Sequence, residues 1–229
     1  SGKERQNMKL AIGCDPNAKA FKEALELTKE CFARGDIGDD PYLLATIYDS
    51  LRLIVSKNNR MQEAEEYMSS ALEERRRLLK TAPMTSARLI ELADSMGFVA
   101  ESEERKNHPE EASALMDEAV NIIKGYEGHK DAYAYALLNR AKYRQTKSPE
   151  IPEGFLEEMN VIIPALDAVA IKDKRTCENL AQAYMFRSMT RDPNDYDDLL
   201  DDLKGAYDNL YTVAQMGDVN EMFLMSVAH

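Results

Sequence analysis

The 229-residue sequence predicts an all-α fold, a right-handed superhelical array of about four helical hairpins, that is, an α-solenoid. Three observations carry this. A helix–turn–helix unit recurs about every 40 to 45 residues, and a unit of that size cannot bury its own apolar face without stacking on a neighbour. The periodic stretches are separated by short connections rich in Gly, Pro, Asn and Asp. No segment shows strand alternation bounded by hairpin turns.

The elements follow in order. Residues 1–16 are polar and aperiodic, with Gly13 and Pro16, and read as a flexible tail; residues 17–229 read as one domain. Asn17 is placed to cap a helix over Ala18–Arg34, with Phe21, Ala24, Leu25, Thr28 and Phe32 at helical spacing and Gly35 as its stop. The clearest repeat spans Tyr42–Thr81. Its first helix carries Leu44, Ala45, Tyr48, Leu51 and Val55, Asn58-Asn59 turns the chain, and its second helix carries Ala64, Met68, Ala71, Leu72 and Leu79.

The second pair is Thr85–Lys106 with Leu89, Leu92, Ala93, Met96, Phe98, Val99 and Ala100, then Glu110–Lys124 with Ala112, Leu115, Met116, Ala119, Ile122 and Ile123. Asn107-His108-Pro109 divides them, since proline lacks a donor and fits best at a helix start. A third pair covers Asp131–Thr146 and Pro152–Ala170, where Pro164 should kink or shorten the helix. A fourth covers Lys174–Thr190 and Tyr196–Gln215, joined through Asp192-Pro193-Asn194. Residues 217–229 carry Met222, Phe223, Leu224, Met225 and Val227, an apolar tail that needs a surface: a capping helix or the start of another repeat.

Composition bounds the function. Hydrophobic residues make up 44% of the chain, enough for a core. A net charge of −12 repels phosphate backbones, so nucleic-acid and anionic-membrane partners are disfavoured and a basic or mixed-charge polypeptide is the easier one. No apolar run approaches the roughly 18 residues of a membrane span, and the opening residues carry no secretory pattern. The chain starts Ser1-Gly2-Lys3, which reads as a scar on a piece of a longer protein. Cys14, Cys31 and Cys177, widely spaced and odd in number, form neither a disulfide framework nor a zinc pattern. A reducing, cytoplasmic setting fits, with the cysteines as small apolar fillers.

Nothing calls for an enzyme or a cofactor. Phosphate loops and nucleophile elbows are missing, and the three histidines, His108, His129 and His229, pair with no metal-spaced partner. The chemical alternative is Asp197-Asp198-Leu199-Leu200-Asp201-Asp202, whose carboxylates at i and i+4 share a helix face and would suit a divalent cation in an all-helical metal-dependent enzyme. The same acids near a helix start are also simply favourable there. Arg75-Arg76-Arg77, near a helix C-terminus, reads as a solvated face complementing the dipole. Met222 and Met225 could offer an adaptable contact, making self-association a further alternative.

Across about residues 42–216 the pattern resembles the tetratricopeptide repeat, and most of all the longer repeats of kinesin light chains. The resemblance rests on Asn-Asn-Arg-Met-Gln-Glu-Ala-Glu at 58–65 with Ala71-Leu72-Glu73 and Glu74-Arg75-Arg76-Arg77-Leu78-Leu79. It extends to Gly97, Pro109-Glu110-Glu111-Ala112 and Ala119, to Ala141 and Tyr143, and to Ala181, Tyr184 and Ala206. Arg52 departs from it, standing where the family has a small residue. The resemblance implies an adaptor or regulatory scaffold that binds a protein or peptide in a groove lined by the first helix of each pair. Carried over, that groove comprises Asp49, Leu53, Glu91, Asp94, Phe98 and Glu101, then Asn139, Lys142, Asn179, Gln182 and Phe186. Asn139 and Asn179, one repeat apart, match family asparagines that hold a peptide backbone; an amide donates and accepts at once. The acids of the first two units replace the basic residues of the family's carboxylate clamp, which implies a basic or apolar ligand segment.

Overall fold

The computed structural model describes residues 42–57, 60–147 and 151–216, with isolated positions at 23, 26, 27, 30 and 34. The 1–16 tail, most of the expected 18–34 helix, the Asn58-Asn59 turn, residues 148–150 and the 217–229 segment lie outside the described residues. Among the described residues the chain is entirely helix and connection, as the periodicity predicts. Eight helices are described: α1 (Leu43–Lys57), α2 (Met61–Leu78), α3 (Ser86–Arg105), α4 (Pro109–Lys124), α5 (Lys130–Lys147), α6 (Phe155–Asp167), α7 (Lys174–Thr190) and α8 (Tyr196–Gln215). Short connections make successive helices antiparallel neighbours. The result is a succession of helical hairpins. Contacts divide it into two compact units, Ser1–Leu115 and Met116–His229.

In the first unit α2 packs on both α1 and α3. The contact faces follow the apolar spacing: Ala45, Leu51 and Val55 on α1, Ala64, Met68, Ala71, Leu72 and Leu78 on α2, and Leu89, Leu92, Ala93, Met96 and Ala100 on α3 are buried. Ile47 is buried as well, while Leu44 and Tyr48 lie half-buried beside it. Tyr42 closes the open end of this hairpin, its hydroxyl donating to the Pro83 carbonyl at 3.0 Å.

The α3–α4 corner shows why the sequence breaks there. Asn107 takes a left-handed φ of 65°, which asparagine tolerates better than most side chains. Its N–H donates to the Glu104 carbonyl and the His108 N–H to the Glu103 carbonyl, both at 2.9 Å. This pair of bonds satisfies carbonyls that a helix end otherwise leaves open. Pro109 then starts α4, where its missing donor costs nothing.

In the second unit α6 packs on both α5 and α7, α7 packs on α8, and α5 also touches α7 directly. Asp173 caps α7, accepting from the Thr176 N–H at 2.8 Å and from the Thr176 hydroxyl at 2.6 Å. Two breakers trim α6. Gly154 precedes it at a φ of 76°, a conformation that disfavours any β carbon, and Pro164 supplies no N–H in its last turn. The helix therefore runs Phe155–Asp167 rather than Pro152–Ala170. Cys177 is 1% exposed, a small apolar filler whose thiol is pushed up by burial.

Candidate functional site

The first-helix faces of each unit are built differently. In the first unit, Asp49 and Leu53 lie one turn apart on α1, and Glu91, Asp94, Phe98 and Glu101 follow one another along α3. What joins the two helices is Arg75 of α2. Its guanidinium reaches Asp49 Oδ2 at 2.6 Å, Ser95 Oγ at 2.7 Å and Glu91 Oε2 at 3.5 Å. The Arg75 side chain is 5% exposed, whereas those of Asp49 and Glu91 are 27% and 46% exposed. One buried cation thus holds two carboxylates whose outer edges still meet water.

The solvated-face reading of Arg75 is therefore corrected: the residue is the buried centre of the unit's polar contacts. The signal was present in the spacing. Arg75 falls in phase with Ala64, Met68, Ala71 and Leu78, all buried, and an arginine on such a stripe must find anions. Arg76 is half-buried; Arg77 is exposed and pairs with Glu74 at 2.6 Å.

A second contact crosses the same face. The Arg52 guanidinium lies 4.1 Å over the Phe98 ring, a cation–π distance. Arg52, the departure from the small residue of the resembled repeat, thus bridges α1 and α3. Leu53 beside it is 48% exposed, and Glu101 is exposed at the far end of α3. The face offers carboxylates, one aliphatic side chain and a covered aromatic.

In the second unit, α5 and α7 repeat at an interval of 40 residues: Tyr135 with Arg175, Asn139 with Asn179, Lys142 with Gln182. The structure joins neighbours across this register. Lys142 Nζ donates to Asn179 Oδ1 at 3.0 Å. The Arg175 guanidinium stacks 4.3 Å over the Tyr135 ring and donates to its hydroxyl. Asn139 and Gln182 are half-buried. Asn179 is only 6% exposed, its carbonyl oxygen spent on Lys142. Phe186 is 8% exposed and packs against Phe155 of α6, ring centres 5.3 Å apart. It is a core residue and presents no face to a ligand. Tyr135, which is buried, and Arg175 form a contact between α5 and α7 that the apolar pattern alone did not single out.

Further charged contacts link neighbouring helices. Arg140 of α5 reaches Asp117 of α4 at 3.0 Å and Glu158 of α6 at 2.6 Å, and Arg144 backs both. In the acidic run, Asp202 is fully buried and accepts from Arg187 Nε at 2.8 Å and Arg191 Nε at 3.0 Å. Asp198 pairs with Arg191 at 2.9 Å. The run is therefore divided: its inward acid is consumed by two guanidinium groups, while Asp197 and Asp201 face outward. Among the described residues no group of three metal-ligating side chains converges, and no helix is long and apolar enough to cross a membrane.

No protein-family model and no curated protein matches the sequence. The solved structures to which the chain is similar include the following two. The crystal structure of BtubC (BKLC) from P. vanneervenii is 17% identical, at a TM-score of 0.46 over 88% of this chain and 74% of that one. The kinesin light chain TPR-like repeats of Podosopora anserina are 15% identical, at a TM-score of 0.44 over 92% of this chain and 96% of that one.

Proposed function

We propose that this chain is a non-catalytic scaffold that binds a protein or peptide segment of basic or mixed charge on the first-helix faces of its hairpins, in the cytoplasm, as an adaptor or regulatory domain. The observation that carries this reading is the Arg75 contact. It ties α1, α2 and α3 together from beneath while leaving Asp49 and Glu91 partly in water. Carboxylates held in this way are preorganised for a cation, because their helices need no rearrangement when a ligand arrives. Asp94 and Glu101 extend the same acidic row, and exposed Leu53 supplies an apolar contact beside it. A lysine- or arginine-bearing segment with one large apolar residue fits that chemistry.

The second unit supports a more modest role. Asn139, Lys142 and Gln182 offer amide and ammonium groups to a backbone, with Asn179 positioning Lys142 from below. The metal-dependent alternative has little support, since Asp202 is already neutralised by Arg187 and Arg191.

Selection from a random peptide library on the purified chain tests the reading. Enriched peptides should carry net positive charge and one large apolar residue, and their binding should weaken as salt rises. Enrichment of acidic peptides, or salt-independent binding, would overturn it.

A further inference from the structure

α8 carries more apolar surface than it buries. It packs on α7, and Ala206, Leu210 and Val213, with Asp202, are its buried residues. Beside that stripe runs a second row, Tyr196, Leu200, Leu203, Tyr207 and Tyr211, which are 49% to 72% exposed. Tyr207 and Tyr211 stack on each other with ring centres 6.2 Å apart. Single exposed apolar residues are ordinary, but five large ones in one contiguous row mark a contact surface.

The spacing of the row says what shape fits it. From Tyr196 it advances by four, three, four and four residues. Its first four positions repeat at about 3.5 residues, the period at which one helix keeps a seam turned to another and receives side chains between its own. An extended segment, whose side chains alternate every second residue, meets such a row out of step. At 1.5 Å per residue the row is ~22 Å long, about four turns of helix. A peptide with one large apolar residue fills only a small part of it, which separates this surface from the first-helix face.

Charge says what chemistry the partner carries. At ~100° per residue, Asp197, Asp201 and Asp208 line the edge of the row away from the buried stripe, and all three are exposed. Asp198 and Asp202 are engaged by Arg191 and Arg187, and Lys204 is the one base of α8. A second copy related by a twofold axis across the helix would set this acidic edge against its own equivalent, where like charges oppose pairing. An anionic membrane surface is repelled in the same way. We propose that the Tyr196–Tyr211 row of α8 docks an amphipathic helix of another protein, one whose apolar seam is flanked by lysine or arginine. The partner's seam covers the five apolar side chains, and its basic flank lies along Asp197, Asp201 and Asp208.

Three labelled peptides of about three heptads each are the probes: leucine at both seam positions with lysine on the flanks, the same seam with glutamate on the flanks, and a scramble of the first that has no seam. Fluorescence anisotropy with this chain reads their binding. The lysine peptide should bind, more weakly as salt rises, and the other two should not. Leu200→Glu with Tyr207→Glu should weaken it about tenfold or more with helix content unchanged. Asp201→Lys with Asp208→Lys should move the preference to the glutamate peptide, while Glu91→Lys with Glu101→Lys should have a much smaller effect. No binding of the lysine peptide overturns the proposal, as does equal binding of the scramble, binding that survives the double glutamate change, or equal weakening by the two charge reversals. A chain that sediments as a dimer and becomes a monomer on Leu200→Glu with Tyr207→Glu also overturns it and makes a second copy the occupant.

Discussion

Arg75 makes the strongest prediction, because the two sides of its contact differ in burial. Asp49→Ala removes the 2.6 Å anion and leaves a guanidinium that is 5% exposed, with the Ser95 hydroxyl and only Glu91, at 3.5 Å, to balance it. Breaking a buried pair from one side costs about 3–5 kcal/mol. Glu91 retains part of the compensation, so the lower end, ~3 kcal/mol, applies. Arg75→Met removes the buried charge itself and keeps an unbranched apolar stem. Asp49 and Glu91, 27% and 46% exposed, can turn to water. The main loss is then the Ser95 hydroxyl's partner, about 1 kcal/mol. The double variant Asp49→Ala, Arg75→Met should therefore be more stable than Asp49→Ala alone by ~2 kcal/mol, a coupling larger than neighbouring sites without contact would give. Urea unfolding of the full chain, followed by far-ultraviolet circular dichroism, measures all three variants. A double variant less stable than Asp49→Ala, or an Asp49→Ala cost below about 0.5 kcal/mol, would refute the buried-cation argument.

Three further outcomes follow from local geometry. A β carbon on Gly205 would sit 2.7–2.8 Å from the Tyr184 ring, so Gly205→Ala should lower the melting temperature despite its helix-propensity gain. Overpacking of ~1–3 kcal/mol outweighs the ~1 kcal/mol gained, and adding Tyr184→Leu should recover the loss. Asp173→Ala should cost about 1 kcal/mol through the lost α7 cap, read by thermal unfolding. The chain should also lose stability in acid. Hydrogen bonds from Ser102 to Glu65, from His108 and Lys106 to Glu103, and from Thr176 to Asp173 hold all three carboxyls below their ordinary values. Each contribution is complete above those values, 4.5 for glutamate and 3.8 for aspartate, and is lost as pH falls through the lower folded-state value. Glu65→Gln should flatten the acid limb of a stability–pH curve; an unchanged limb would remove Glu65 from the account.

Much of the fold was legible from apolar spacing and breakers. Lys174–Thr190 and Tyr196–Gln215 are found where the periodicity places them, because Asp173 and Asp192-Pro193-Asn194 punctuate the chain chemically. The overextended α6 shows the limit: its apolar residues continue past both ends, and Gly154 and Pro164 prevail through backbone geometry. The candidate site was less legible for two reasons. On α7, Cys177, Asn179, Leu180, Ala181, Ala183 and Phe186 are all buried, because α5, α6 and α8 surround it. A helix packed on several sides has no single polar face for periodicity to find, which is why Phe186 reads as groove and folds as core. Arg75 was hidden for the opposite reason. Its arginine neighbours suggested solvent, and only its phase against Met68 and Ala71 pointed inward.

The most direct test of the binding account is calorimetric titration of a library-selected basic peptide into three versions of this chain: unaltered, Glu91→Lys with Glu101→Lys, and Asp197→Lys with Asp201→Lys. The last pair is exposed on α8, in the other compact unit. The account predicts that the α1–α3 reversal weakens binding about tenfold or more, ~1.4 kcal/mol, and that the α8 reversal has a much smaller effect. Equal weakening by both would reduce the interaction to net charge and contradict a built site on the first-helix face.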